Sequence, residues 1–360
     1  MRRTLLSAVV VSGEAWVVPN VSVFRVACLE GWRVCRWRVG DARWRGAESD
    51  GVGVMRALVL GYGSMGQRRA MIARGLGHQV VVHDVSVAKT KQAFQDGFLS
   101  PFDAPHGDAF TMAQAEAVII CTPVESHTEW LMKARDAGQA FFVEKPLLAS
   151  ASAYEPWLDI MPSPCEQVGY SLRYHPGGTR LRAVLSELGT PYAARFVVAL
   201  TQDHEKYPDT LLECSHEIDL AFALFGPGTV EGARSRCDGH VWELLIDHGP
   251  DGPISSLRVD DRFDGYHRSA VIACEKGSVT FRWHPPDDAW QLVSPIDVAQ
   301  GTVTVDDIYR AELEDFFAHA GGETRPTGRT VARCSIDDGL AVVRACERAR
   351  ILAEIAHAAV

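Results

Sequence analysis

Two side chains in this sequence are suited to moving a proton: Lys145, which precedes Pro146, and His216, which follows Glu213 by three residues. A lysine withdrawn from water can act as acid, base or electrostatic stabiliser of an alkoxide. The residue before a proline is biased away from helix, so Lys145 should project from a strand end, and the X-Pro bond permits a cis peptide that would fix its direction. Glu213 and His216 share a face if their segment is helical, where the carboxylate could set the imidazole's tautomer and raise its basicity. Ile218, Ala221, Phe222 and Phe225 form one apolar stripe there, and Leu220 and Leu224 a second. A helix apolar on so much of its surface is largely buried, so Glu217 and Asp219 within it need a partner or a function. Capping at the helix N-terminus would account for Glu213 and Glu217 but not for His216. Gly226-Pro227 supplies the stop.

A second set of residues is suited to binding. Gly61-Tyr62-Gly63-Ser64-Met65-Gly66 follows the apolar run 57–60 and opens a helical pattern. Glycines there let a dinucleotide pyrophosphate approach the backbone and sit on a helix N-terminus. The next apolar run, 80–83, ends in Asp84, 18 residues past Gly66, where a ribose-binding acid is expected. A carboxylate at that place repels a 2′-phosphate and favours NAD, while Lys89 and the short Ser86 leave NADP open. Cys121-Thr122-Pro123 closes a third run, with Thr122 able to bond a ribose or phosphate. His127, just beyond, reads either as a cofactor contact or as a packed helix-face histidine. Glu144-Lys145-Pro146 closes a fourth run, so Lys145 belongs to the same carboxyl edge, where open α/β sheets bind their ligands.

The elements that must hold these groups alternate. Strands are expected at 57–60, 79–83, 117–121, 140–143 and 166–171, with helices at 64–75, 87–95 and 125–137 between them and an irregular stretch at 98–112. Such alternation implies right-handed crossovers and a doubly wound parallel sheet. Beyond about residue 175 the character changes. A helix at 177–188 precedes β-rich runs at 191–201, 229–237, 240–247, 254–263, 267–274 and 277–283, and helices at 307–319 and 335–357 close the chain. Turn signals at 249–252, Asp264-Gly265 and Lys276-Gly277 fit antiparallel neighbours. The fold class is α/β: a doubly wound, nucleotide-binding domain at 55–172 followed by an α+β domain at 173–360 built on a mostly antiparallel sheet.

Bulk composition narrows the partners. The 360 residues suffice for two cores. The net charge of −10 argues against nucleic acid or an anionic membrane surface as partner. No apolar run reaches the roughly 20 residues of a membrane span. Nine scattered cysteines without a C-x-x-C fit reduced thiols in the cytoplasm, rather than a disulfide framework or a metal site. Residues 1–54 differ from the rest: eight Arg and no Lys, four of the nine Trp and twelve Val, with poor periodicity. They read as a poorly ordered N-terminal extension, translated upstream of a true start at Met55. The competing reading is a signal peptide, from Arg2-Arg3 and the short apolar run after it, but no clear cleavage site follows.

In this order the motifs resemble the glucose-fructose oxidoreductase / inositol dehydrogenase (Gfo/Idh/MocA) family. The matching stretches are 61–66, Asp84, 121–123 with His127, 144–146, Gly169 through Arg173-Tyr174-His175-Pro176, and Ser215-His216-Glu217-Ile218-Asp219 through Gly226. The closing helices also match, at Tyr309 through Phe316 and at Asp337 through Leu340. The resemblance implies a Rossmann domain followed by a domain with a large open sheet, and hydride transfer between NAD(P) and a hydroxyl carbon of a sugar, polyol or sugar derivative. It makes Lys145 a contact of nicotinamide and substrate, His216 the acid/base with Glu213 before it, and a homodimer or homotetramer formed through the open sheet the expected assembly. Arg173, Tyr174 and His175 at the domain junction become candidate substrate contacts, Arg173 for an anionic substituent. Val124 stands where the family often has Asn, and the family's Gly-rich lead-in to the catalytic helix is replaced by residues 204–211, which puts the substrate's identity in doubt. Two alternatives share the fold: a non-catalytic NAD(P)-binding regulator, and a lyase that uses NAD transiently.

Overall fold

Four-residue and five-residue apolar runs become the inner strands of a parallel sheet, because strands covered on both faces need no polar side. A computed structural model describes residues 53–99, 114–157, 162–201, 209–213, 215–284, 288–322 and 333–358, together with four strands nearer the N-terminus. Of Glu213 only the backbone is described. The chain divides into a unit spanning Met1–Ser49 and a unit spanning Asp50–Val360. In the first, β1 (Ala8–Val11) pairs antiparallel with β2 (Glu14–Val17), and β3 (Val23–Cys28) with β4 (Gly31–Arg36).

The second unit opens with β5 (Arg56–Leu60), α1 (Ser64–Gly75), β6 (Gln79–His83), α2 (Val87–Gln95), β7 (Ala117–Ile120), α3 (His127–Asp136), β8 (Ala140–Glu144) and β9 (Glu166–Gly169). The strands form one parallel sheet in the order β6-β5-β7-β8-β9. From β5 the chain moves outward to β6 and returns to β7 on the other side, so a crevice opens beyond the carboxyl ends of β5 and β7. Two boundaries are tighter than expected. A 3-10 turn at Val124–Ser126 precedes α3, and β9 stops at Gly169 before another 3-10 turn at Ser171–Tyr174.

Then follow α4 (Pro176–Leu188), β10 (Pro191–Thr201), α5 (Thr210–Glu213), α6 (Ser215–Phe225), β11 (Thr229–Arg236), β12 (Val241–Asp247), β13 (Ile254–Asp260), β14 (Arg262–Cys274), β15 (Gly277–His284), β16 (Ala289–Val293), β17 (Val298–Thr302), α7 (Val305–Ala320) and α8 (Ile336–Ala358). The eight strands form a second sheet in the order β11-β12-β13-β10-β14-β15-β16-β17, antiparallel except between β10 and β13. Helices cover one face, α8 on β11, α6 on β13 and α4 on β15 and β16.

Two expectations change here. Asp264-Gly265 is not a hairpin turn: it lies inside β14, because the chain after β13 crosses β10 rather than pairing beside it. The register slips there, at Leu200 and Thr201, and Gly265 takes φ +130 at the irregularity. The strands β16 and β17 were not foreseen, since they are short and β17 reads Val-Ala-Gln-Gly-Thr, with little apolar content.

Helix α7, far along the sequence, packs against α1. Its Leu313, Phe316 and Phe317 share a core with Ala57 and Val59 of β5, Ala70 and Ala73 of α1, and Ile119 of β7. The other face of the parallel sheet is continuous with the core that holds α6, α8 and the inner face of the second sheet.

Candidate active site

Strand β5 delivers the chain into Gly61, whose φ of +86 suits glycine. A Cβ at Gly61 would lie 2.7 Å from the Cys121 carbonyl oxygen, and one at Gly66 would lie 1.9 Å from the carbonyl oxygen of Gly61. These two glycines therefore let α1, β7 and the turn close on one another. Gly63 differs: no atom lies within 4 Å of where its Cβ would stand, and it lines the cleft. Helix α1 starts directly after it, with no acid in the first turn to neutralise its positive end.

Asp84 follows β6. Its Oδ2 accepts from the Tyr62 N–H at 2.7 Å and its Oδ1 from the Ser86 N–H at 2.7 Å. The carboxylate is thus pinned over the glycine turn while still lining the cleft. Cys121, Thr122 and Pro123 line it too, as do Ser64, Met65 and Lys89. The Ser126 hydroxyl bonds Thr122 Oγ1 at 2.8 Å. Burial pushes the Cys121 thiol well above its ordinary range, with the Glu144 carboxylate next in effect, so it is an unreactive wall.

Glu144 ends β8, and its Oε1 accepts from Arg69 Nε at 2.6 Å. Arg69, fully buried on α1, also donates through Nη2 to Glu312 Oε2 of α7 at 2.7 Å. Lys145 comes next, joined to Pro146 by a cis peptide, and lines the cleft. His216 reaches the same cleft from the first turn of α6. The Tyr170 ring stands edge-on to it, with centroids 5.6 Å apart. Its Nδ1 is buried with no hydrogen-bond partner among the described residues. Burial drives the imidazole well below its ordinary proton affinity, and the nearby Lys145 charge and then that of Arg268 push the same way. The ring is therefore neutral at physiological pH, as a proton acceptor must be.

The cleft holds about 1220 Å³ and runs from Asp84 past Lys145 to His216. A smaller chamber of about 210 Å³ adjoins it, sharing His216, Arg268 and Tyr309 and adding Ser171, His175, Tyr266, Trp283 and Asp288. These features fit a dinucleotide: an open approach above Gly63, an uncompensated helix N-terminus, and a fixed carboxylate one strand away. NAD would lie with its pyrophosphate at 61–66 and a ribose on Asp84.

Not every expected site residue is in the cleft. His127 is buried beneath it: Nε2 faces the Thr122 carbonyl at 2.9 Å, and Nδ1 faces those of Pro146 and Leu147, each at 3.1 Å. It ties the Thr122 turn to the Lys145 loop instead of touching a cofactor. Arg173 is buried in a pair with Asp219, Nη2 to Oδ1 at 2.6 Å, and donates to the Arg333 carbonyl as well, so it holds α6 rather than a substrate. Tyr174 is consumed the same way, donating to Asp315 at 2.8 Å and accepting from Gln167. His175 does line the smaller chamber, although its Nδ1 caps α4 by accepting from the Gly177 N–H at 3.0 Å. The Glu213 side chain lies outside the described residues.

Arg69, Tyr309, Trp283 and Arg268 were not anticipated. A signal existed for Arg268: it alternates with Ala270 and Ile272 on the core-facing register of β14, where a charge is out of pattern.

A family model described as "Oxidoreductase family, NAD-binding Rossmann fold" matches residues 55–163. Inositol 2-dehydrogenase of Mycolicibacterium gilvum is 30% identical over 262 residues, covering 62% of this chain and 73% of that protein. Inositol 2-dehydrogenase of Paracoccus denitrificans is 28% identical over 177 residues, 45% of this chain and 52% of that one, so the chain spans about half of the latter's length. Among solved structures, an inositol dehydrogenase homolog from Azotobacter vinelandii, complexed with NADH and myo-inositol, has a TM-score of 0.69 at 14% identity, covering 84% of this chain and 96% of that one. Levoglucosan dehydrogenase in complex with NADH and levoglucosan has a TM-score of 0.69 at 15% identity, covering 84% and 98%. These two structures share the fold.

Proposed function

Because the chain belongs to the Gfo/Idh/MocA family of NAD-binding oxidoreductases, we propose that it transfers hydride between NAD and a hydroxyl carbon of a sugar, polyol or sugar derivative. The observation that carries this is the convergence of Lys145, from the parallel sheet, and His216, from α6, on one cleft that also holds Asp84 and the glycine turn. The curated relatives, named as inositol dehydrogenases, support a polyhydroxylated substrate.

When bound, the nicotinamide supplies the hydride acceptor. The residues do the rest. Neutral His216 takes the hydroxyl proton as the carbon is oxidised. The Lys145 ammonium steadies the negative charge that develops on that oxygen, in a cleft where water is displaced and the charge acts at short range. Arg69 and Glu312 fix Glu144 behind Lys145. Glu213, at the end of α5 just before α6, is included as the carboxylate that orients His216. Asp84 selects NAD over NADP. The proposal extends to two domains, 55–172 for cofactor and 173–360 for substrate and assembly, to a cytoplasmic location suited to the scattered thiols, and to a homodimer or homotetramer.

The test is a melting-temperature titration with NAD and NADP, then turnover on a panel of sugars and polyols. NAD should raise the midpoint by mass action. Lys145→Ala should keep NAD affinity within about tenfold and abolish turnover. Unchanged turnover in that variant would sink the assignment.

A further inference from the structure

The smaller chamber beyond His216 carries more than a wall. Arg268 on β14 and Trp283 on β15 are cross-strand partners in register, so their side chains stand side by side on the sheet face turned toward the helices. Both line the chamber. Arg268 is held in place: its Nη1 donates to Glu217 Oε1 at 2.6 Å, and Glu217 is fully buried on α6, directly after His216. Trp283 is 2% exposed, and its ring stacks on Phe281 with centroids 4.7 Å apart. Its indole N–H is buried and has no hydrogen-bond partner among the described residues. An indole nitrogen only donates, and a donor sealed from water without an acceptor is costly to keep. A ligand acceptor reaching the chamber would satisfy it.

The local charge points the same way. Lys145 and Arg268 both act on His216 as cations, and the single carboxylate of Glu217 faces both of them. A fork-shaped guanidinium and a neighbouring N–H match the two oxygens of a planar carboxylate. Asp288, which also lines the chamber, offers an acceptor for hydroxyl groups.

We propose that Arg268 and Trp283 form a two-point donor site for a carboxylate on the substrate, making the substrate a sugar acid rather than a neutral polyol. This rests on the dehydrogenase reading above. His216 lines both cavities, so a hydroxyl presented to it from the chamber side leaves the acid end of the molecule beside Arg268 and Trp283.

The experiment compares NAD-dependent turnover of matched pairs: glucuronate with glucose, galacturonate with galactose, and gluconate with glucitol. The full chain should favour the acid of the preferred pair by about tenfold or more in kcat/KM. Trp283→Phe keeps the ring and removes the donor; Arg268→Lys keeps the charge and removes the fork. Each should shrink the acid-over-neutral ratio by about tenfold, chiefly through KM, while the NAD-induced rise in melting temperature stays as in the parent. Neutral partners used as well as the acids, or a ratio unmoved in Trp283→Phe, would overturn the carboxylate site and leave the dehydrogenase reading standing. Stabilisation by NAD with no turnover of either member of any pair would sink both.

Discussion

His216 owes its proposed role to its surroundings more than to its own chemistry. Burial disfavours the imidazolium, and the Lys145 charge adds to that penalty. Because the folded-state value lies below the ordinary one, falling pH leaves the base intact through the range where a free histidine would already be protonated. Oxidation should accordingly show kcat/KM flat from neutral pH down past the ordinary histidine value, with the acid limb displaced below it, since this parameter reports the free enzyme. A limb at or above the ordinary histidine value would contradict the burial seen here. The same sign governs stability. His78 and His175 are pushed to about 4 by burial, so the unfolded chain binds protons that the native one does not, and stability declines as pH falls from the ordinary histidine range toward that value. At this scale the sequence pointed to Lys145 and Asp84, each just past a strand end, and to His216, a polar residue opening an apolar helix, and all three line the one cleft. It misled at Arg173, Tyr174 and His127. Their partners, Asp219, Asp315 and the carbonyls of 146 and 147, come from elements whose approach no local spacing encodes.

Among elements, the parallel strands and their helices were legible because their apolar runs are continuous and their glycines punctuate them. The late strands β16 and β17 were not, because each is only five residues long and β17, at the sheet edge, carries little apolar signal. Nor could the sequence show that α7 leaves its neighbours to cover the first sheet. The ion chain through Arg69 marks that contact: α1 meets β8 at Glu144 and α7 at Glu312, all three side chains withdrawn from water. Burial raises the Glu312 carboxyl to about 7, against the pull of Arg69. Removing the arginine alone would strand two carboxylates, and breaking a buried pair in this way costs about 3–5 kcal/mol. Arg69→Met should lose stability on that scale in denaturant unfolding. Adding Glu312→Gln should recover part of it, because the two sites share one interaction. A loss under about 1 kcal/mol would mean the chain is solvated and does not join the helices.

For the whole molecule, the outer face of the second sheet is the unexplained surface. One row crosses seven strands in register: Leu245, Ser256, Arg195, Val271, Thr280, Val293 and Val298. Leu245 is 45% exposed, Val271 42%, Val293 41% and Val298 71%, whereas Ala270 and Ile272 beside Val271 point into the core. The packed helices of this unit, α4, α6 and α8, lie on the opposite face. Exposed aliphatic side chains interleaved with Ser256, Arg195 and Thr280 make a mixed surface of the kind that interfaces use, and a stable interface needs about 800 Å² from each partner. The proposed self-association therefore has a place to act. The sheet should pair with that of a second copy, and light scattering at micromolar concentration should return a dimer or tetramer. Val271→Asp with Val293→Asp puts two like charges at the centre of the patch, on the face away from His216. That variant should run as a monomer while NAD still raises its melting temperature as in the parent. A parent chain that is already monomeric would leave the open face to some other occupant, and a variant that stays assembled would move the interface elsewhere.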